Sequence, residues 1–144
     1  MLINEYNPGE GIMPHEDGAA YAPVVATISL GAPIVLDIYE KRGEKEEEGG
    51  IEKSHSMEIK HRILQEPGSL LVTTGEAYTR LLHGISPITR DEDLKVGRVV
   101  NWDLLGDKTR FEMGSGSFDR STRISLTYRD VLKVSKAMGF LNKR

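Results

Sequence analysis

Short apolar runs, partly β-branched and each closed by glycine or proline, constrain this chain most. Val24 to Leu30 and Pro33 to Tyr39 are two such runs, broken at Gly31 and Pro33 as a turn would break them. Leu70 to Thr74 follows the turn signal Pro67-Gly68, Arg80 to Ile85 stops before Pro87, and Arg123 to Val131 reads as a further strand. No long stretch carries a 3.6-residue period; the best helix candidate is Arg129 to Leu141, basic and moderately amphipathic. The pattern predicts a mainly all-β sandwich or barrel with few or no long helices, and not a βαβ array. At 144 residues the chain is one domain's worth, spanning 1–144.

Two segments are too polar to continue these strands and are expected as surface insertions. One lies near 41–56 and carries the run Glu44-Lys45-Glu46-Glu47-Glu48, a solvated loop by its charge. The other lies near 90–119, is Gly-rich around Gly114-Ser115-Gly116 and holds the only tryptophan, Trp102, a packing residue by its size.

Composition narrows the function. There is no cysteine, which excludes disulfide scaffolds, thiolate metal sites and thiol nucleophiles. A net charge of −3 is not the signature of strong non-specific nucleic-acid binding. No apolar stretch is long enough for a membrane helix, and the N-terminus has no secretory pattern, so an intracellular protein is expected.

Three constellations can carry chemistry. In His15-Glu16-Asp17, residues i and i+2 of an extended segment share a face, so an imidazole and a carboxylate can converge on a metal. His83, far along the chain, would complete two histidines and one carboxylate, the facial set that suits non-haem Fe(II) and leaves positions open. Taken alone, such a motif is more often a pair of surface-loop residues than a metal site. Second, Arg123, Ser125, Thr127 and Arg129 share one face of a strand, and Ile124, Leu126 and Tyr128 the other. Two inward arginines, ~20 Å apart along a straight strand, would be costly without anions. That separation is too far for one small dicarboxylate to span, but one arginine could grip its distal carboxylate while the other reaches back toward the metal end. Turned outward, they would lie on an exposed polar face paired with Asp or Glu. Third, Asn4 and Tyr6 share a face ahead of the Pro8-Gly9 turn, and both can hydrogen-bond a carboxylate without adding charge.

In order along the chain stand Asn4-Glu5-Tyr6, Pro8-Gly9, His15-Glu16-Asp17, Ser29-Leu30-Gly31, Leu82-His83-Gly84 and Arg123 to Arg129. Together these resemble the AlkB family of Fe(II)/2-oxoglutarate-dependent dioxygenases. Residues 4–18, 27–31 and 77–85 resemble the AlkB homolog 6 subgroup in particular. The resemblance covers nearly the whole chain.

It implies a double-stranded β-helix, or jelly roll. It implies that His15, Asp17 and His83 ligate Fe(II), and that Arg123 pairs with the distal carboxylate of 2-oxoglutarate, with Tyr6 and Ser125 hydrogen-bonding nearby. Arg129 and Asn4 would sit at the metal-proximal end. Ser125 stands where some relatives have Asn. The implied reaction consumes O2 and 2-oxoglutarate, releases succinate and CO2, and hydroxylates an N-methyl carbon that leaves as formaldehyde. The implied substrate is an alkylated base in RNA or DNA. The alternatives are a protein-directed hydroxylase or demethylase, and a non-catalytic module that binds modified RNA. The implied location is the nucleus and cytoplasm. Family members carry a long segment ahead of the N-x-Y strand that grips a flipped nucleotide, whereas here Met1 stands three residues before Asn4. The chain is therefore expected to be a fragment or short form that holds the cofactor site without the substrate lid. His55 and His61 have no partner at ligand spacing and are expected at a loop or strand surface; the basic tail with Lys133, Lys136, Lys143 and Arg144 is expected to be solvated.

Overall fold

The computed structural model describes residues 1–41 and 57–132. Ten strands account for about half of them: β1 (Leu2–Tyr6), β2 (Ile12–His15), β3 (Tyr21–Gly31), β4 (Ile34–Glu40), β5 (Ile59–Gln65), β6 (Leu70–Thr74), β7 (Leu81–Ile85), β8 (Arg90–Asp91), β9 (Phe118–Asp119) and β10 (Arg123–Val131). The helices among the described residues are short: α1 (Gly75–Thr79), α2 (Lys108–Met113) and a 3-10 turn at Trp102–Leu104. None is long and apolar enough to cross a membrane.

Two four-stranded antiparallel sheets face each other. The first has the order β1-β10-β3-β6, the second β2-β7-β4-β5, and β8 pairs with β9 apart from both. The chain passes from one sheet to the other as it runs, which makes the expected jelly-roll sandwich. Arg129 to Val131 belong to β10, so the basic helix expected from Arg129 does not begin there; the rest of that stretch, the Glu44–Glu48 run, His55 and the basic tail lie outside the described residues.

β4 is buried along both faces, which explains its nearly unbroken apolar run. Ile34 and Leu36 turn inward toward the first sheet and pack with Ile85. Val35 turns outward, where segment 90–119 covers it. That segment is not the unstructured insertion its polarity suggests. Leu94, Val99, Trp102, Leu105, Phe111 and Phe118 pack with Val35 and Leu64 into a second core on the back of the second sheet. Trp102 is the packing residue expected, only 8% exposed.

Polar clamps fix this cap. Asn101 spends its amide on the free edge of β5, accepting from Leu64 N at 2.9 Å and donating to Leu64 O at 2.8 Å. Val100 N donates to Arg62 O at 3.0 Å, so residues 100–101 satisfy an edge that would otherwise lie bare. Arg120 and Asp91 form a buried two-pronged ion pair at 2.7 and 2.9 Å, and Arg120 also donates to the Ser86 carbonyl.

The back of the first sheet is different. Ile3, Val24, Leu30, Leu70, Val72 and Tyr128 are all exposed there, and no described residue covers them.

Candidate metal and anion centre

The site lies between the sheets, in a cavity of about 430 Å³, within the usual range for small-ligand pockets. Its walls follow from the two-residue period of the strands. β10 turns Arg123, Ser125, Thr127 and Arg129 inward and leaves Ile124, Leu126 and Tyr128 on the back of the sheet. The polar face of this strand is thus the inner one.

At one end stand His15, Asp17 and His83. His15 on β2 pairs directly with His83 on β7, and their rings lie 4.4 Å apart. The close approach depends on Gly84, where a Cβ would come within 3.0 Å of the Ile12 carbonyl and Pro14 N. His15 Nδ1 lies 2.9 Å from the Met13 carbonyl. A carbonyl only accepts, so Nδ1 is the donor here, and Nε2 is the nitrogen left for a metal. Burial, and then the neighbouring His15, push His83 below its ordinary range, against the pull of Asp17; the ring is held neutral, as a metal ligand must be. Asp17 Oδ2 is 3.9 Å from His83 Nε2, and Oδ1 is 3.2 Å from Arg129 Nη1. As the side chains stand, no three acidic, histidine or cysteine groups among the described residues close into a metal-binding set. The carboxylate is balanced by Arg129 instead.

Gly18, with φ at +84°, follows Asp17. Its carbonyl accepts from Tyr78 Oη at 2.8 Å, which ties the loop after Asp17 to α1, the helix just before His83. Lys41 pairs with Glu16 and donates to the Thr79 carbonyl, making a second tie between the same segments.

At the other end Arg123 is 3% exposed. Its Nη2 donates to Ser29 Oγ at 2.9 Å and Gln65 Oε1 at 2.7 Å, and the Tyr6 ring lies 5.5 Å from its guanidinium carbon. No carboxylate pairs with it among the described residues. Burial pushes this guanidinium down to about 10, against the pull of Tyr6, yet it stays charged at neutral pH. A buried cation with only neutral acceptors fits an incoming carboxylate. Arg129 supports the same fit at the metal end: its Nε is buried with no hydrogen-bond partner among the described residues, while its guanidinium carbon lies 5.1 Å from the Tyr21 ring centroid.

Sheet register places the remaining residues. Tyr6 pairs with Arg123, and Asn4 pairs with Ser125, one inward row nearer the metal end. Asn4 therefore stands in mid-cavity, two inward rows short of Arg129. Four residues of the site carried no sequence signal for their roles. Ser29 and Gln65 orient Arg123, Tyr21 faces Arg129 and Tyr78 holds the Asp17 loop. The Arg123 partners come from three strands, β1, β3 and β5, so no local pattern could reveal them.

Residues 1–129 match the model of the 2OG-Fe(II) oxygenase superfamily. The chain belongs to this superfamily. Fe(II), 2-oxoglutarate and O2 are the cofactor and co-substrates that the family implies. Over its whole length the oxygenase chain is 38% identical to a zebrafish (Danio rerio) protein named "Probable RNA/DNA demethylase ALKBH6" and spans 58% of it. It is 31% identical over 91% of its length to the Xenopus tropicalis "tRNA (carboxymethyluridine(34)-5-O)-methyltransferase alkbh8", covering 18% of that protein. An uncharacterized mimivirus protein, L905, is 30% identical over 92% of the chain and is covered to 48%.

Proposed function

We propose that the chain carries the active site of an Fe(II)- and 2-oxoglutarate-dependent dioxygenase that oxidatively demethylates an alkylated nucleic-acid base. The observation that carries this reading is Arg123, a buried cation without a carboxylate, at one end of a cavity whose other end gathers two imidazoles and a carboxylate. A dicarboxylate joins two such ends as no monoanion can. The base as substrate is supported by the zebrafish relative, whose name is that of an RNA/DNA demethylase.

In this reading His15, Asp17 and His83 hold the iron, and Arg123 grips the distal carboxylate with Ser29, Gln65 and Tyr6 fixing its angle. When bound, iron with O2 and 2-oxoglutarate supplies the oxidation that hydroxylates the substrate carbon and releases succinate and CO2. The chain's own work is placement. Met13 and Tyr78 fix the ligand segments. Arg129 holds Asp17 in orientation and offers positive charge to the metal-proximal carboxylate. Ile12, Leu36 and Ile85 give the cavity an apolar lining between its two polar ends.

A protein substrate is the second reading, favoured by the net charge of −3, which repels phosphate. The deciding experiment is calorimetric titration of 2-oxoglutarate into Mn(II)-loaded protein under nitrogen, with Asp17→Ala as control. Metal-dependent binding that the control loses is the expected result. Equal binding with and without metal would overturn the assignment.

A further inference from the structure

Among the described residues His61 is the imidazole that the proposed centre leaves unused. The register sets it in one row with the metal end. His15 pairs with His83, His83 with Ile38, and Ile38 with His61, all on the inner face of the second sheet. Two strand spacings separate His83 from His61, about 10 Å, far beyond the ~2 Å of a metal–imidazole bond. His61 lines the same cavity, is exposed, and makes no hydrogen bond or ion pair among the described residues. The floor between His83 and His61 is the Ile38 side chain, with Ile63 beside it on β5. The dicarboxylate path runs elsewhere: Gln65, which contacts Arg123, lies four residues from His61 along β5, ~13 Å away.

The row is therefore a polar post, an apolar floor and a second polar post. We propose that His61 is a substrate-contacting residue, which hydrogen-bonds the edge of a flat N-methylated base whose methyl group is turned to the metal and whose ring lies on Ile38 and Ile63. A neutral imidazole both donates and accepts, so it can read a base edge. The saturated chain of a methylated lysine presents no such polar edge along its length. The base as ligand rests on the function proposed above; the placement of His61 in the substrate half of the cavity does not.

The test uses Mn(II)- and 2-oxoglutarate-loaded protein under nitrogen. Binding of a short single-stranded RNA with one N-methylated base is measured beside a methyl-lysine peptide, for wild type, His61→Ala, His61→Phe and His61→Asn. We expect His61→Ala and His61→Phe to weaken RNA binding about tenfold, the size of one hydrogen bond. His61→Asn should restore part of it, and 2-oxoglutarate affinity should stay unchanged in all three. RNA binding unaffected in His61→Ala overturns the role of His61 and leaves the function standing. Peptide bound instead of RNA, and weakened by His61→Ala, overturns the nucleic-acid reading and keeps His61 as a substrate contact. Loss of 2-oxoglutarate binding in His61→Ala places the residue in the co-substrate half and overturns the proposal, as does wild type binding neither probe.

Discussion

Arg123 shows how a residue's chemistry follows from where its strand points. Its side chain was readable as one of two arginines six positions apart, but not which way the strand face turned. The structure turns it inward, between Ser29 and Gln65. Arg123→Lys keeps the charge and loses the fork, so 2-oxoglutarate affinity should fall by ~1.5–3 kcal/mol, about 10- to 150-fold, in a calorimetric titration. Asp17→Ala should abolish succinate formation; near-normal turnover would remove Asp17 from the metal set. His83 makes a prediction in pH. Its folded form is held below the ordinary value of 6.5, so below that pH the unfolded chain takes up a proton that the folded chain resists. Stability of the metal-free protein should therefore drop as pH falls through 6.5 and level off below the folded value. In His83→Asn that part of the pH dependence should vanish from urea midpoints measured across the range.

Among the elements, β10, β4 and β6 were legible because their patterns are local. β6 was delimited by Pro67-Gly68, β10 by strict alternation, and β4 by a continuous apolar run. β5 was not. Its residues Ile59 to Gln65 mix charge and apolar side chains, because Lys60 pairs with Glu40 and Arg62 lies against Asp37, on strand β4. Those partners are fixed only once β4 and β5 pair. Segment 90–119 misled for a related reason: its apolar residues are spaced for no single element and converge only on the back of the second sheet. Asn101 is the hinge of that convergence. Asn101→Ala leaves Leu64 N and O without partners in a partly buried place and should cost ~1–3 kcal/mol in chemical denaturation. Trp102→Ala should cost ~3–5 kcal/mol by opening the cap core.

The whole molecule is a sandwich with unequal backs. Among the described residues the second sheet is covered by segment 90–119, and nothing covers the apolar residues of β1, β3, β6 and β10 on the back of the first. Contiguous exposure of this kind promotes association. Ile3→Thr with Leu70→Thr keeps strand propensity and should reduce hydrophobic-dye binding and raise solubility. Neither side chain lines the cavity, so 2-oxoglutarate binding should be unchanged. By itself the sequence determined the fold class and the strands with clean periods, and it singled out His15, Asp17, His83 and the two arginines as candidates. Those signals are residue types at short or ordered spacings, and local stereochemistry turns spacing into faces. Only the tertiary structure decided which face of β10 is inside, that Ser29 and Gln65 orient Arg123, that Asn4 sits in mid-cavity, and that His61 shares a row with His15 and His83. Those facts depend on the pairing register of strands distant in sequence, which no single strand encodes.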